Sequence, residues 1–303
     1  MASGSTIHNA DLSSLRNKMN TILNGTGVLG GYNQSHTVTA NPSSGALIDD
    51  AYLDSLYSAA AKISNFYNIT NPFTAVDAGT VVDWSHYGSN ASTFESTINT
   101  QFTAPWSYAT GWDTSVQNET SETVSNWNGS KVQIVKVAFG SETTMNSWMA
   151  AGGEIRISAS HSDTSSNDQG TSWEGLTAEM GTYKISAQAT DSSDIDASTR
   201  KKYSELTGSY AQVKKEFASG DYSVNYIEVQ AYRSGGDLYV KTTLNDAHVA
   251  DTGGGSGYGG AWSWTGTDSV PGTSTVTVAS LRMTNPAGSV SITNPTFTVT
   301  DSL

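Results

Sequence analysis

The stretch Lys131-Val132-Gln133-Ile134-Val135-Lys136-Val137, followed at a short distance by Glu154-Ile155-Arg156-Ile157-Ser158-Ala159, decides the fold class of this chain. Val132, Ile134 and Lys136 alternate with Gln133, Val135 and Val137. Ile155, Ile157 and Ala159 alternate in the same way with Glu154, Arg156 and Ser158. A period of two sends successive side chains to opposite faces of a pleated strand, so both segments predict β-strands. Outward toward the C-terminus the same signal predicts strands over 182–189, 224–233, 238–244, 273–283 and 290–299. Ser234-Gly235-Gly236-Asp237 lies between two of them as a hairpin turn.

Two short helices interrupt the strands. One runs from Thr143 to Ala151 and stops at Gly152-Gly153. The other opens with a capping box, Thr171 and Glu174, and ends on Gly181, the usual left-handed position after a helix. The pattern of 200–217 fits helix and strand alike, and Gly253–Gly260 reads as a mobile glycine loop. Strands without helices long enough for regular parallel crossovers favour an antiparallel sandwich. The expected fold is therefore mainly β with an N-terminal α-helical segment, its body an antiparallel β-sandwich or jelly-roll-like arrangement.

Toward the N-terminus the period changes to that of a helix. Leu12, Leu15, Met19, Ile22 and Leu23 recur at helical spacing before Asn24-Gly25. A second helix from Leu47 to Tyr67 places Ile48, Tyr52, Leu56 and Ile63 near one face. Ser92-Thr93-Phe94-Glu95 reads as a capping box that opens a short third helix carrying Phe94, Ile98 and Phe102. The expected organisation is a helical anchoring region over 1–75, a Trp-rich connecting region over 76–130 and the sandwich body over 131–303. Two isolated helices cannot hide their own apolar faces. Leu12, Leu15, Met19, Tyr52, Leu56 and Ile63 are therefore expected to pack against a partner or the body, and are the candidate assembly interface.

Composition narrows the function. The chain has 303 residues with 15 basic and 28 acidic groups, a net charge of -13, and only 14% charged residues. Its negative field repels phosphate backbones and anionic lipid, so nucleic acid is not an expected partner. No apolar run reaches the ~18 residues of a membrane helix, so no membrane insertion is expected. Met1-Ala2-Ser3-Gly4-Ser5-Thr6 lacks the basic and apolar regions of a signal peptide, which predicts a chain made and kept in the cytosol or released by lysis. Cysteine is absent, which removes disulfides, thiol nucleophiles and Cys-ligated metals.

The motif search returns mostly negatives. Gly25–Gly30 and Gly255–Gly260 match the dinucleotide glycine pattern, but neither follows a strand and opens a helix. His8, His36, His86, His161 and His248 are scattered, and no cofactor or metal is expected. Abundant serine makes a Ser–His–Asp triad undiagnosable from the chain alone. Asp191, Asp194 and Asp196 resemble a calcium turn without the EF-hand glycine and glutamate. Asp77 with Asp83, and Asp163 with Asp168, have the residue types of glycoside hydrolysis but no local signature. Arg200-Lys201-Lys202 and Lys214-Lys215 read first as lysines guarding a strand edge. Trp84, Trp106, Trp112, Trp262 and Trp264 sit in Ser/Thr/Asn/Gly surroundings and are candidate glycan-stacking residues.

Several segments in order resemble a known family. They begin with Gly4-Ser5-Thr6-Ile7-His8-Asn9-Ala10-Asp11 and Gly31-Tyr32-Asn33-Gln34. Gly153-Glu154-Ile155-Arg156-Ile157-Ser158-Ala159-Ser160 comes next, then Thr171-Ser172-Trp173-Glu174-Gly175-Leu176 and Met180-Gly181-Thr182. Tyr222–Val229, Pro271–Val276 and the closing 290–303 complete the set. Together they resemble virion structural proteins of marine T4-like tailed phages. The resemblance implies a non-enzymatic component of the virion, in neck, tail, fibre or capsid decoration, assembled as a homo-oligomer with other virion proteins. It brings no catalytic residues. The competing expectation is a carbohydrate- or receptor-binding adhesin module that meets host surface glycan through the tryptophans above.

Overall fold

The computed structural model describes residues 9–26, 31–36, 38, 50–67, 69–71, 73–75, 84–103, 116–164, 167–187, 200–249, 252–257, 260–265, 269–282 and 290–303. Its helices are α1 (Asn9–Asn24), α2 (Asp50–Tyr67), α3 (Trp84–Thr103), α4 (Glu142–Ala150) and α5 (Asp168–Met180). The strands are β1 (Val116–Trp127), β2 (Ser130–Ala138), β3 (Glu154–Ser162), β4 (Thr182–Ser186), β5 (Arg200–Lys202), β6 (Ala211–Phe217), β7 (Tyr226–Ser234), β8 (Asp237–Asn245), β9 (Thr252–Gly257), β10 (Gly260–Thr265), β11 (Val270–Leu281) and β12 (Thr296–Asp301). The protein is mainly β, with helices at its N-terminal end, as the alternation predicts.

Two compact units divide the chain. One comprises Met1–Gln117, Phe139–Glu154 and Leu281–Asn294. The other comprises Asn118–Ala138, Ile155–Ser280 and Pro295–Leu303. The boundaries expected from sequence, 75/76 and 130/131, follow the chain, whereas the helical unit also recruits α4 and the segment before β12.

In the helical unit, α1 packs against both α2 and α3. Leu12, Leu15 and Met19 of α1 and Tyr52, Leu56 and Ile63 of α2 are all 2% exposed or less within the single chain. These six are core, not a free assembly face. They are covered by one another and by α3, which is also longer than the expected short helix. It starts at Trp84, within a Trp-Ser-His-Tyr-Gly-Ser-Asn run of poor helix formers that conceals its beginning. Glu95, read from sequence as part of a capping box, lies inside α3 and accepts a hydrogen bond from Ser14 Oγ (2.5 Å). Lys18 Nζ donates to Asn99 Oδ1 (2.7 Å). Phe94, Ile98 and Phe102 are buried.

The chain after α1 folds back and caps it. Tyr32 N–H donates to Ile22 O (2.8 Å) and Gln34 N–H to Leu23 O (2.6 Å), satisfying carbonyls that a helix end leaves without partners. Gly31, at φ +135°, makes this return possible, because a Cβ there would collide with the carbonyls of Thr21 and Ile22. Tyr32 then lies against Phe66 (4.7 Å between ring centroids) and Phe102 (5.8 Å), and its hydroxyl bonds that of Tyr67 (2.6 Å). Gln34 also holds Ser291, donating from Nε2 to its carbonyl (2.9 Å) and accepting its N–H at Oε1 (3.1 Å). This side chain replaces a strand neighbour, so 290–295 stay irregular and β12 begins only at Thr296, inside the expected strand 290–299.

The second unit holds two five-stranded sheets, ordered β12-β2-β8-β7-β6 and β1-β11-β3-β4-β5. The first is antiparallel throughout, with β2, β7 and β8 in unbroken register and β7 and β8 joined through Ser234↔Asp237 with Gly235 at φ +57°. In the second sheet β4 and β5 run parallel, a departure from the purely antiparallel body expected from sequence. Val135, Val137, Ile227, Val229, Ala231, Leu238, Val240 and Leu244 of the first sheet, and Ile155, Ile157, Ile185, Val276 and Val278 of the second, form the buried faces of a sandwich. Gln133 Nε2, fully buried, donates from the first sheet to Val276 O of the second (3.5 Å).

Helix α5 packs on β6 and β7. It begins at Asp168, capped by Asn167, whose side chain accepts from Gln169 N–H (2.8 Å). The Thr171 capping box expected from sequence therefore lies in the helix interior. The open segment 200–217 resolves into β5, a single 3-10 turn and β6. The expected glycine loop 253–260 is corrected to a hairpin, β9 with β10, in which Trp262 lies opposite Gly255 and Trp264 opposite Gly253.

Candidate recognition surface

One Ser–His contact is formed in the sandwich, and its surroundings decide its role. Ser274 Oγ on β11 accepts the indole N–H of Trp127 on β1 (3.0 Å) and shares a hydrogen bond with His161 Nδ1 on β3 (2.9 Å). Ser274 is 1% exposed and His161 9%. Burial holds the His161 pKa below its ordinary value, against the opposite pull of Glu174 and Asp163. Its Nε2 is buried with no carboxylate bonded to it, and the backbone of Pro271 is the polar group acting on the ring besides Ser274. A hydrolytic triad needs an accessible hydroxyl and a carboxylate on the far imidazole nitrogen, and this pair has neither. It pins three adjacent strands of one sheet together.

The carboxylates near Trp173 are also structural. Asp163 Oδ2 accepts the Asn167 N–H (3.3 Å), Glu174 Oε1 accepts the Asp163 N–H (3.0 Å), and Asp168 lies in the first turn of α5. Together they tie the end of β3 to the helix that follows. Among the described residues no group of three or more His, Asp or Glu could hold a metal ion. Asp77, Asp83 and the acidic turn of Asp191, Asp194 and Asp196 lie outside the described residues.

The basic clusters sit in ordinary pairs. Arg200 is buried and donates to Ser186 Oγ (3.0 Å), Lys201 pairs with Glu205 (2.8 Å) and Lys214 with Glu216 (2.8 Å). Of the candidate stacking residues, Trp84 stands on α3 and Trp262 and Trp264 on β10, while Trp106 and Trp112 lie outside the described residues. Trp127, Trp148 and Trp173 are buried.

What the sandwich turns outward is a tyrosine row on the first sheet. Strand alternation sends Ile227, Val229 and Ala231 inward, and Tyr226, Glu228, Gln230 and Tyr232 outward. On β8 it sends Tyr239 and Lys241 outward. Register places Lys136 beside Tyr239, and Tyr239 beside Tyr232. The two tyrosine rings stack with centroids 4.4 Å apart and planes within 2°. Tyr210 meets Tyr232 edge-on at 4.6 Å, and Lys241 Nζ lies 5.8 Å from the Tyr210 ring.

At the other end of the same face, Lys215 Nζ sits 3.6 Å from the Tyr226 ring centre and 5.1 Å from that of Phe217. Phe217 is half exposed and Tyr210 38% exposed. The Lys136 pKa is raised by its hydrogen bond and ion pair with Asp237 (2.8 Å). Tyrosines with an apolar body and a polar tip, flanked by cations over their rings, suit contact with a protein or sugar surface. None of these residues stands out by composition. The available signal is positional, since aromatic residues occupy the outward side of strands whose inward side is already apolar.

No protein-family model, curated protein or solved structure matches this chain, so the reading of this surface rests on its own residues.

Proposed function

We propose that this chain is a non-enzymatic structural protein of a tailed-phage virion, placed in the neck, tail, fibre or capsid decoration and assembled as an oligomer. The observation that carries the reading is the contrast within the sandwich: its Ser–His pair is sealed in the core, while an aromatic and lysine row faces outward. Such an arrangement favours holding a partner over transforming a substrate. The resemblance of the segments from Gly4 to Leu303 to virion proteins supports the same class, as does a surface poor in charge. The test is mass spectrometry and immunogold labelling of purified particles of the phage that encodes the chain. Stoichiometric copies on the particle are expected. A chain found free in the lysate and missing from particles overturns the reading.

A second reading, an adhesin module that meets host glycan, is favoured by the exposed rings of Tyr210 and Phe217. Glycan binding by the full chain that is lost in Tyr210→Ala or Phe217→Ala, with melting unchanged, supports it. The same assay on Trp262→Ala and Trp264→Ala decides whether the hairpin tryptophans belong to that surface.

A further inference from the structure

Four strands end the two five-stranded sheets, and three of them carry a device against pairing with another chain. β5 is only three residues long. β6 carries Lys214 and Lys215 and shifts register between Gln212 and Lys214. β12 shifts register between Val299 and Asp301. β1 differs from all three. It is twelve residues long, Val-Gln-Asn-Glu-Thr-Ser-Glu-Thr-Val-Ser-Asn-Trp, with no lysine, arginine or proline.

Side-chain bonds align most of it on β11. Asn118 O accepts from Ser280 Oγ, Ser121 Oγ bonds Thr277 Oγ1, Ser125 Oγ bonds Thr273 Oγ1 and Asn126 Oδ1 accepts from Gly272 N–H. From Asn118 to Ser125 each step up β1 is matched by the same step down β11, so these bonds align the pair antiparallel, and the alternation breaks only at Asn126, where φ is +49°. No described strand lies on the other side of β1. Glu119, Ser121, Thr123 and Ser125 are exposed along one face.

We propose that β1 is an assembly edge at which the β1 of a second copy of this chain pairs antiparallel, continuing the sheet across two molecules. This rests on the oligomeric reading above and names its surface. The strand's own sequence selects the occupant, and its charge permits it. Two copies of a chain with net charge -13 repel over most of their surfaces, yet β1 has only two charges, Glu119 and Glu122.

In an antiparallel alignment centred on Ser121, Glu119 faces Thr123 and Glu122 faces Thr120. Centred on Thr123, Glu119 faces Trp127 and Glu122 faces Val124. Neither alignment sets glutamate directly opposite glutamate; the first keeps Glu119, Ser121 and Thr123 opposite exposed positions, whereas the second brings exposed Glu119 opposite buried Trp127. The hydroxyl rows already made with Thr277 (2.8 Å) and Thr273 (2.9 Å) then continue, as Ser121 against itself in the first alignment or Thr123 against itself and Ser121 against Ser125 in the second. A strand that is its own complement suits the isologous contact of a two-fold pair.

The chain has no cysteine, so single-cysteine variants report the edge directly. Residues directly opposite in an antiparallel pair stand about 4.5–5.5 Å apart at Cα, within disulfide range. Under mild oxidation Ser121→Cys or Thr123→Cys is expected to form covalent dimer about ten-fold or more faster than Thr298→Cys on exposed β12, because pairing raises the local thiol concentration. The wild-type chain is expected to sediment as a dimer or larger species at about 100 μM, a level that reveals even weak association. Ser121→Glu with Thr123→Glu is expected to sediment as monomer with near wild-type melting, since both sites are exposed and each alignment then opposes acids.

A monomeric wild type, crosslinking no faster than at 298, or an oligomer indifferent to the two glutamates overturns the proposal. A monomeric wild type found on purified particles overturns this edge alone and leaves the virion reading standing. Loss of the chain from particles with a crosslinking dimer does the reverse.

Discussion

Trp127 and Trp173 meet edge to face, their ring centroids 4.8 Å apart and their planes at 71°. One closes β1 and the other stands on α5, so this contact joins the last residue of a mostly polar strand to the helix that packs on the opposite sheet. Trp127 is further fixed by its indole bond to Ser274.

Truncating either ring empties a fully buried site, and Trp127→Ala or Trp173→Ala is expected to cost about 3–5 kcal/mol each in chemical denaturation. The double variant should lose about 0.5–1.5 kcal/mol less than the two single losses combined, because the aromatic pair is removed once, not twice. Strict additivity would show that the rings only fill space.

His161 makes stability depend on pH, and the sign follows from its burial. Its folded pKa lies below the 6.5 of an unburied histidine because burial opposes the charged ring. Between those two values the unfolded chain binds more protons than the folded one. Stability is therefore full above about pH 6.5 and falls as pH drops through the folded value. His36 is shifted the same way, by burial and then by Lys62. Melting temperature measured between about pH 7 and pH 5 should fall more steeply in the wild type than in His161→Gln, and least in the double variant with His36→Gln. Equal slopes would remove the histidines from the acid response.

The alternation rule reached most of the body because most strands bury one face. β2, β3, β7 and β8 lie within a few residues of their expected positions, since Val135, Val137, Ile155, Ile157, Val229 and Val240 enter a common core. β1 was invisible to the same rule. Its partly covered side carries Asn118, Thr120 and Glu122, and its open side Glu119, Ser121 and Thr123, so the strand shows no apolar period at all. What holds it is the hydroxyl pairing with β11, a relationship between positions some 150 residues apart that no local window contains.

The helical residues were legible as apolar faces and not as to what covers them. Leu12 through Ile63 read as an interface because nothing local in the sequence tells that α3 lies on α1, as the bonds of Ser14 to Glu95 and Lys18 to Asn99 show. The outward tyrosines were missed for a related reason: tyrosine at strand spacing is compatible with core and surface alike until the inward side is known.

Tyr32 and Tyr67 test the return of the chain onto α1. Their hydroxyls bond at 2.6 Å in a buried setting, so Tyr32→Phe leaves the Tyr67 oxygen without that partner. A loss of about 1–3 kcal/mol is expected, confined to the helical unit, since the tyrosine pair lies wholly within it. Hydrogen exchange should show protection falling in α1, α2 and α3 while β7 and β8 keep theirs. Uniform loss across both units would mean that they unfold as one.

Gly153 tests how tightly α4 is seated. The residue follows the helix, its N–H donates to Trp148 O (3.1 Å), and a Cβ built on it would run into the six-membered ring of Trp148. That ring is fully buried, packed on Phe139 at 5.3 Å and tethered through its indole N–H to Asn294 Oδ1 (3.3 Å). It cannot swing aside without giving up both contacts. Gly153→Ala is therefore expected to cost about 1–3 kcal/mol by overpacking, despite the gain that replacing glycine usually brings through the unfolded chain. Pairing it with Trp148→Phe, which frees room at that spot, should recover part of the loss. A second substitution that recovers nothing would place the strain in the backbone of Gly153, not against the indole.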